Sequence, residues 1–360
     1  MLLLLYKYFA HLDATGTDFL VGRALLALLT AFAVGLAIGP VMIRRLTLRL
    51  IGQTVRKDGP QSHYQKAGTP TMGGILMLFS ITVSTLLWMR ISDGVTWTAL
   101  ATLLAFGLIG WVDDYIKLLH KNPRGIGASN KFTAQMVVSV LAVSTIFALA
   151  HSGSETALYI PVIGWPLVQL GAFGFIGLGC LVVTGTSNAV NLTDGLDGLA
   201  AFPTALVAAA LGLLAYVAGS PHLAAAAAHP FVPEARDLLI FCCAIAGAAL
   251  AFLWFNAYPA QVFMGDVGAL ALGAALGIVA VAIREEILLF IMGGVFVVET
   301  LSVMLQVASF KLTGRRVFKM APLHHHFELK GWPEPRVIVR FWIATFILVL
   351  VGLATLGGHL

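Results

Sequence analysis

The chain has 360 residues, 59% of them hydrophobic and only 11% charged, with a mean hydropathy of +0.92. Soluble domains carry about 25% charged and 45–50% apolar residues, so a single soluble domain, a disordered chain and a disulfide scaffold are excluded, and a polytopic membrane protein is what fits. The net charge of +5 would suit nucleic acid, but no polar domain gathers the basic residues.

A helix crossing about 30 Å of hydrocarbon needs roughly 20 mostly apolar residues. In chain order the stretches that approach this are 19–43, 71–89, 95–112, 132–150, 170–188, 198–218, 238–256, 267–283, 287–308 and 337–357. Met1–Leu5 is apolar but too short for a signal-peptide core, and no small-residue cleavage pattern follows, so the first span is expected to be retained. Alternation at strand period is absent, against a membrane barrel. No internal repeat stands out, which weakens an inverted-repeat transporter. The expected fold class is therefore all-α, a polytopic membrane protein of about ten transmembrane helices, forming one integral domain over 1–360. Gly293-Gly294 marks a bend in the ninth span. Cys180, Cys242 and Cys243 lie in apolar runs and read as small buried residues. Trp88, Trp97 and Trp165 fit interfacial belts.

Lys and Arg orient such a protein, because cytoplasmic loops carry the excess of both. Arg44, Arg45, Arg49, Arg56, Lys57 and Lys66 fall in the connection 44–70. Lys117, Lys121, Arg124 and Lys131 fall in 113–131. Lys311, Arg315, Arg316, Lys319, Lys330, Arg336 and Arg340 fall in the segment 309–340. All three lie on one side of an even-numbered bundle, leaving Lys7, Arg23, Arg90, Arg236 and Arg284 for the other. Both termini are then expected outside (periplasmic). The connections 44–70, 113–131, 188–198, 257–266 and 309–336 are expected in the cytoplasm.

The acids fall on the same face. Asp113 and Asp114 end the third span, Asp194 and Asp197 lie in the run Asn188–Gly198 after the fifth, and Asp266 begins the eighth. The triplet His324-His325-His326 sits in the last basic loop. Carboxylates at a membrane edge are costly to desolvate unless paired or holding a cation. Acids among Lys and His match hard Mg²⁺ handling a phosphorylated substrate, since Mg²⁺ takes one or two carboxylates and phosphate oxygens. Adjacent acids on a helix point about 100° apart, so Asp113 and Asp114 should not share one role. The plainer alternatives are a solvated helix end beside Lys117, a Gly/Asp turn, and a helix-start carboxylate at Asp266. Consecutive histidines splay apart, which favours phosphate or proton handling over a zinc site. Glu299, inside the ninth span, reads as a paired structural acid.

Several stretches together resemble a known family: Lys66-Ala-Gly-Thr-Pro-Thr-Met-Gly-Gly74, Asp113-Asp114-Tyr115, Asn188–Gly198, Asn256-Ala-Tyr-Pro-Ala260, Phe263-Met-Gly-Asp266 and Ala321-Pro-Leu-His-His-His-Phe-Glu328. The chain resembles the phospho-N-acetylmuramoyl-pentapeptide transferases (MraY translocases) of the polyprenyl-phosphate sugar-1-phosphate transferase superfamily, over essentially its whole length. The histidine block is the more specific signal; the Asp motifs are shared across the superfamily. The resemblance implies transfer of phospho-MurNAc-pentapeptide from UDP-MurNAc-pentapeptide to undecaprenyl phosphate, giving lipid I and UMP, with Mg²⁺ as cofactor. That is the first membrane step of peptidoglycan synthesis, at the bacterial inner membrane with the site facing the cytoplasm.

Carried over by motif, Asp266 looks like the main Mg²⁺ ligand, with Asp113 and Asp114 as further candidates. Asp113 looks like the residue that deprotonates or orients the lipid phosphate. Asp113, Asp114, Asp266, His324, His325 and His326 form the implied catalytic set. Asn188, Asn191, Asp194, Asp197 and Asn256 would line the site; Gly195, Leu196, Asp197 and Phe263 resemble a uridine pocket with Phe263 stacked on uracil. Lys66, Lys117, Lys131 and the histidines would meet phosphates or the sugar-peptide. Rivals are a related N-acetylglucosamine-1-phosphate transferase and, from another class, a cation-coupled transporter. The oligomeric state stays open, with a membrane homodimer as the candidate, and direct attack by the lipid phosphate is preferred over a covalent aspartyl intermediate.

Overall fold

The structure, a computed structural model, describes residues 17–48, 68–120, 125–150, 156–161, 166–227 and 229–355. Lys66 and much of the first basic connection lie outside the described residues, as does Trp165. In chain order the helices are α1 (Thr17–Leu48), α2 (Gly74–Trp88), α3 (Gly94–Leu119), α4 (Ala128–Leu149), α5 (Gly171–Thr193), α6 (Ala201–Ala218), α7 (Pro221–Ala226), α8 (Leu238–Asn256), α9 (Gly265–Ile283), α10 (Glu286–Met292), α11 (Gly294–Thr313), α12 (Leu323–Glu328) and α13 (Glu334–Ala354). Among the described residues, nine helices are long and apolar enough to cross a membrane, and α2 is a shorter apolar one. This is an all-α polytopic membrane architecture. Its strands, β1 (Ala157–Tyr159) and β2 (Pro166–Gln169), form one antiparallel hairpin with Ala157 opposite Gln169.

The centre of the bundle is α9, buried at every position from Val267 to Ile283 and packed against α2, α3, α5 and α6. Its Gly- and Ala-rich sequence is what allows this. A Cβ on Gly273 would stand 2.5 Å from the Thr186 carbonyl oxygen, so α9 and α5 meet at backbone distance. Close approach through small residues is how helices gain dispersion contacts where lipid removes the hydrophobic drive between them. On the periphery, α11 and α13 leave Leu301, Met304, Leu305, Ile343, Phe346 and Ile347 exposed, the apolar faces expected toward acyl chains.

Three boundaries differ from the sequence reading, each for a physical reason, and one break agrees with it. The stretch 71–89 yields only the 15-residue α2, about 22 Å at 1.5 Å per residue. Residues ahead of it pair instead with the start of α9: Phe263 N donates to Pro70 O, Gly73 N to Phe263 O and Gly74 N to Met264 O, each at 2.8 Å. The third span does not end at Asp113-Asp114, because α3 continues to Leu119; Lys117, one turn on, meets both acids at 2.6 and 3.5 Å. Asn188 and Asn191 belong to α5 and not to a connection. The ninth span is interrupted at Gly293, which separates α10 from α11, as the bend expected at Gly293-Gly294 requires. Trp88 is buried, donating Nε1–H to Thr30 Oγ1 at 3.0 Å, and is no belt residue; Trp97 is exposed.

The ends of α1, α2, α8 and α9 opposite the acids are tied by ion pairs. Asp237 accepts from Arg23 at 3.3 Å and from Arg90 at 2.9 Å. His229 Nε2 lies 2.7 Å from Glu285 Oε1 and its Nδ1 3.0 Å from the Pro230 carbonyl oxygen. Burial lowers this imidazole, but Glu285 and the Pro230 carbonyl outweigh it and raise the pKa above its ordinary value. A raised histidine contributes stability that is complete below its unfolded pKa of about 6.5 and is lost as pH climbs through the folded value. Thermal unfolding should therefore fall as pH rises above about 6.5, and His229→Gln should flatten that limb; an unchanged slope in the variant would remove this pair as its cause.

Candidate active site

Asp113 and Asp114 stand on the last turns of α3 and Asp266 on the first turn of α9. What brings them together is Gly110: a Cβ there would lie 2.2 Å from the Asp266 carbonyl oxygen. The backbone of α9 thus starts against α3 with nothing between. Gly110→Ala must push that backbone away, and we expect it to disorder the three-acid cluster and lower activity at least tenfold; wild-type activity with normal expression would refute the close approach.

The two adjacent acids face different partners, as their helical offset requires. Asp113, 2% exposed, accepts from the Ile126 N–H at 2.7 Å, from Lys117 Nζ at 2.6 Å and from Lys131 Nζ at 3.3 Å. Asp114 accepts from the Val267 N–H at 3.3 Å and lies 3.5 Å from Lys117 Nζ. Asp266 receives both lysines, Lys117 at 3.0 Å and Lys131 at 2.5 Å. One carboxylate oxygen from each of the three acids falls within 4.8 Å of the others. Three hard oxygen donors converging at the edge of an apolar bundle fit a Mg²⁺-sized cation that completes its shell with water and phosphate. The two lysines stand where phosphate oxygens would need cations.

The turn after α5 closes the site from another side. Asp194, just beyond α5, is pushed up to about 7 by burial and then by the carboxylates of Asp266, Asp114 and Asp197, so it belongs to the same electrostatic field. Asn191 is half-buried nearby in sequence. Other members of the expected set are occupied by the chain itself. Asn256 Oδ1 accepts from the Gly198 N–H at 2.9 Å while its Nδ2 donates to Val262 O at 2.8 Å. Asp197 Oδ2 accepts from the Ala260 N–H at 2.9 Å. Both side chains brace the 194–200 turn against the 257–262 connection. Leu196 packs in a small cluster with Leu199, Val337 and Ile338. Asn188 donates to Gln135 Oε1 at 2.9 Å and to Thr184 O at 2.8 Å. Phe263 is half-buried, its backbone fixed by the pairing with residues 70 and 73.

The three histidines divide. His324 is fully buried with its ring against Gly195 and its Nδ1 3.2 Å from Glu299 Oε2. His325 Nδ1 lies 2.8 Å from Glu328 Oε2. His326 Nδ1 accepts from the Lys319 N–H at 3.0 Å; burial and the lysines Lys330 and Lys319 lower its pKa. His324 touches the 194–198 turn through Gly195. Glu299 is paired, as its position inside a span requires. Gln135 and the His229–Glu285 pair carried no sequence signal: a lone Gln in an apolar helix and a lone His in a loop acquire meaning only from partners far along the chain.

With this geometry in hand, comparison with known families gives two matches. A family model described as glycosyl transferase family 4 matches residues 96–284, a range holding the acids, both described lysines, the 188–198 run and Phe263. A model described as phospho-N-acetylmuramoyl-pentapeptide-transferase signature 1 matches residues 66–78, a range that includes Pro70, Gly73 and Gly74, which pair with Phe263 and Met264.

Proposed function

The chain belongs to glycosyl transferase family 4 and carries the pentapeptide-transferase signature; on that premise we propose that it transfers phospho-MurNAc-pentapeptide from UDP-MurNAc-pentapeptide to undecaprenyl phosphate, forming lipid I and releasing UMP at the cytoplasmic face of the bacterial inner membrane. The observation that carries this reading is the Asp113–Asp114–Asp266 cluster with Lys117 and Lys131 interleaved, set at one end of an apolar bundle. A soluble nucleotide sugar reaches such an end from water, and a polyprenyl phosphate carries its headgroup to the same level.

The chemistry is positioning and charge neutralisation. An oxygen of the lipid phosphate attacks the sugar-bearing phosphorus of the UDP-sugar; the bond to the bridging oxygen breaks, and the electron pair leaves with UMP. A phosphate monoester is largely ionised near neutral pH, so the nucleophile needs orienting more than deprotonating, and Asp113 is the residue for it. Lys117 and Lys131 bind the phosphate oxygens, and Asp266, with Asp113 and Asp114 beside it, would hold Mg²⁺. Bound there, Mg²⁺ supplies charge neutralisation of the pyrophosphate and of the departing phosphate.

Phe263→Ala should weaken UMP binding by about 1–3 kcal/mol, the range for one base stacked on an aromatic ring; calorimetry returning wild-type affinity would dismiss the stack. Offering UDP-MurNAc-pentapeptide and UDP-N-acetylglucosamine separately to purified protein with undecaprenyl phosphate tests the substrate. Product from the first alone is expected; product from the second alone would favour the related N-acetylglucosamine-1-phosphate transferase.

A further inference from the structure

We infer that Glu299 is a positioning residue for His324, and that it holds the imidazole proton on Nδ1, so that the Nε2 lone pair accepts an N–H or O–H of the bound nucleotide sugar. This rests on the nucleotide-sugar reading above and adds a residue to it. Both partners are fully buried, on α11 and α12, and both oxygens of the carboxylate are used. Oε1 accepts the His324 backbone N–H at 3.1 Å, and Oε2 faces Nδ1 at 3.2 Å. A carboxylate in that position only accepts, so Nδ1 must carry the proton. The tautomer follows from that one contact.

The other nitrogen is left over. Nε2 is buried and, among the described residues, has no hydrogen-bond partner. A buried polar atom left unpaired costs of the order of a full desolvation penalty, which a ligand would relieve. Nε2 faces the turn that carries Asp194 and Gly195, and a Cβ on Gly195 would lie only 2.2 Å from it. Glycine at 195 therefore allows the ring its close approach to the turn, and the unpaired nitrogen stands against the residue that follows Asp194. His325 packs its ring edge-on at 4.1 Å, completing the wall on the other side.

The two-oxygen contact makes the proposal testable with one substitution. Glu299→Gln keeps volume and both hydrogen bonds only by turning its amide: Oε1 takes the backbone N–H, and the NH₂ donates to Nδ1. The ring must then move its proton to Nε2, which changes from acceptor to donor. A merely structural Glu299 would show the same inversion, but no loss of UMP affinity that depends on His324.

The experiment combines ¹⁵N-histidine NMR at pH 8 with UMP calorimetry on purified full-length protein, using wild type, Glu299→Gln, His324→Ala and the double variant. His324→Ala assigns the signal. We expect Nδ1 protonated in wild type, Nε2 protonated in Glu299→Gln, UMP affinity about tenfold weaker in Glu299→Gln, and no further loss when that change is added to His324→Ala. Unchanged thermal unfolding in Glu299→Gln secures the fold. A wild-type ring protonated on Nε2 or on both nitrogens, unchanged affinity in Glu299→Gln, or an equal loss in the His324→Ala background would overturn the proposal. Wild-type protein that does not bind UMP at all would instead overturn the nucleotide reading of the site.

Discussion

Asp266→Asn should lower turnover by about 10³-fold or more in protein that still expresses and folds. The substitution keeps the shape and one acceptor oxygen but removes the charge that meets Lys117, Lys131 and, in the proposed chemistry, the divalent cation. A metal site of this kind supplies several kcal/mol of charge stabilisation in the transition state, and each 1.4 kcal/mol is worth about tenfold in rate. The loss should be partly relieved by raising Mg²⁺, because the remaining donors Asp113 and Asp114 bind more weakly. Near-normal activity at ordinary Mg²⁺ would take Asp266 out of the metal role. Activity that is lost and insensitive to Mg²⁺ would give it a different one.

The second large effect falls on stability. Lys117 meets Asp113 at 2.6 Å, Asp266 at 3.0 Å and Asp114 at 3.5 Å. With Lys131 it balances three acids crowded into a space that also suits a cation. Removing one partner of a buried charge network leaves the others uncompensated, at a cost of the order of a few kcal/mol; the partial exposure of Lys117 keeps it toward the lower end. Lys117→Met should therefore destabilise the metal-free protein, and millimolar Mg²⁺ should restore more stability to the variant than to wild type, since the ion replaces the lost positive charge. If Mg²⁺ stabilises both equally, or neither, the acids do not form a joint cation site.

The sequence made the acids readable because charge is so scarce: in a chain that is 11% charged, a carboxylate beside a span needs a reason. Lys117 was legible from helical spacing alone, three and four residues after the two acids. Lys131 was legible only as part of a basic loop, since nothing local says that it reaches both Asp113 and Asp266. The 15 residues of α2, where a full span was expected, have the same cause. Pairing of 70–74 with 263–264 joins segments nearly two hundred positions apart, and hydropathy windows see only local composition. Asn256 and Asp197 were legible by residue type, but the partners the chain gives them were not: Asn256 meets the Gly198 N–H and the Val262 carbonyl, and Asp197 Oδ2 accepts from the Ala260 N–H, so both also shape the turn. Gly110 offered no signal because its meaning lies in the helix that crosses it.

The acids gather at one end of the bundle, where the starts of α2, α4, α9 and α13 meet the ends of α3, α5 and α8. Coupled transport sites lie near the bilayer midplane, so the arrangement favours an interfacial reaction over carriage of an ion through the bundle. The most direct test of that claim is release of UMP by the purified protein from UDP-MurNAc-pentapeptide. We predict that release requires both Mg²⁺ and undecaprenyl phosphate, in one-to-one amount with lipid I. UMP release that ignores the lipid, or its absence when both are supplied to folded protein, would contradict the account.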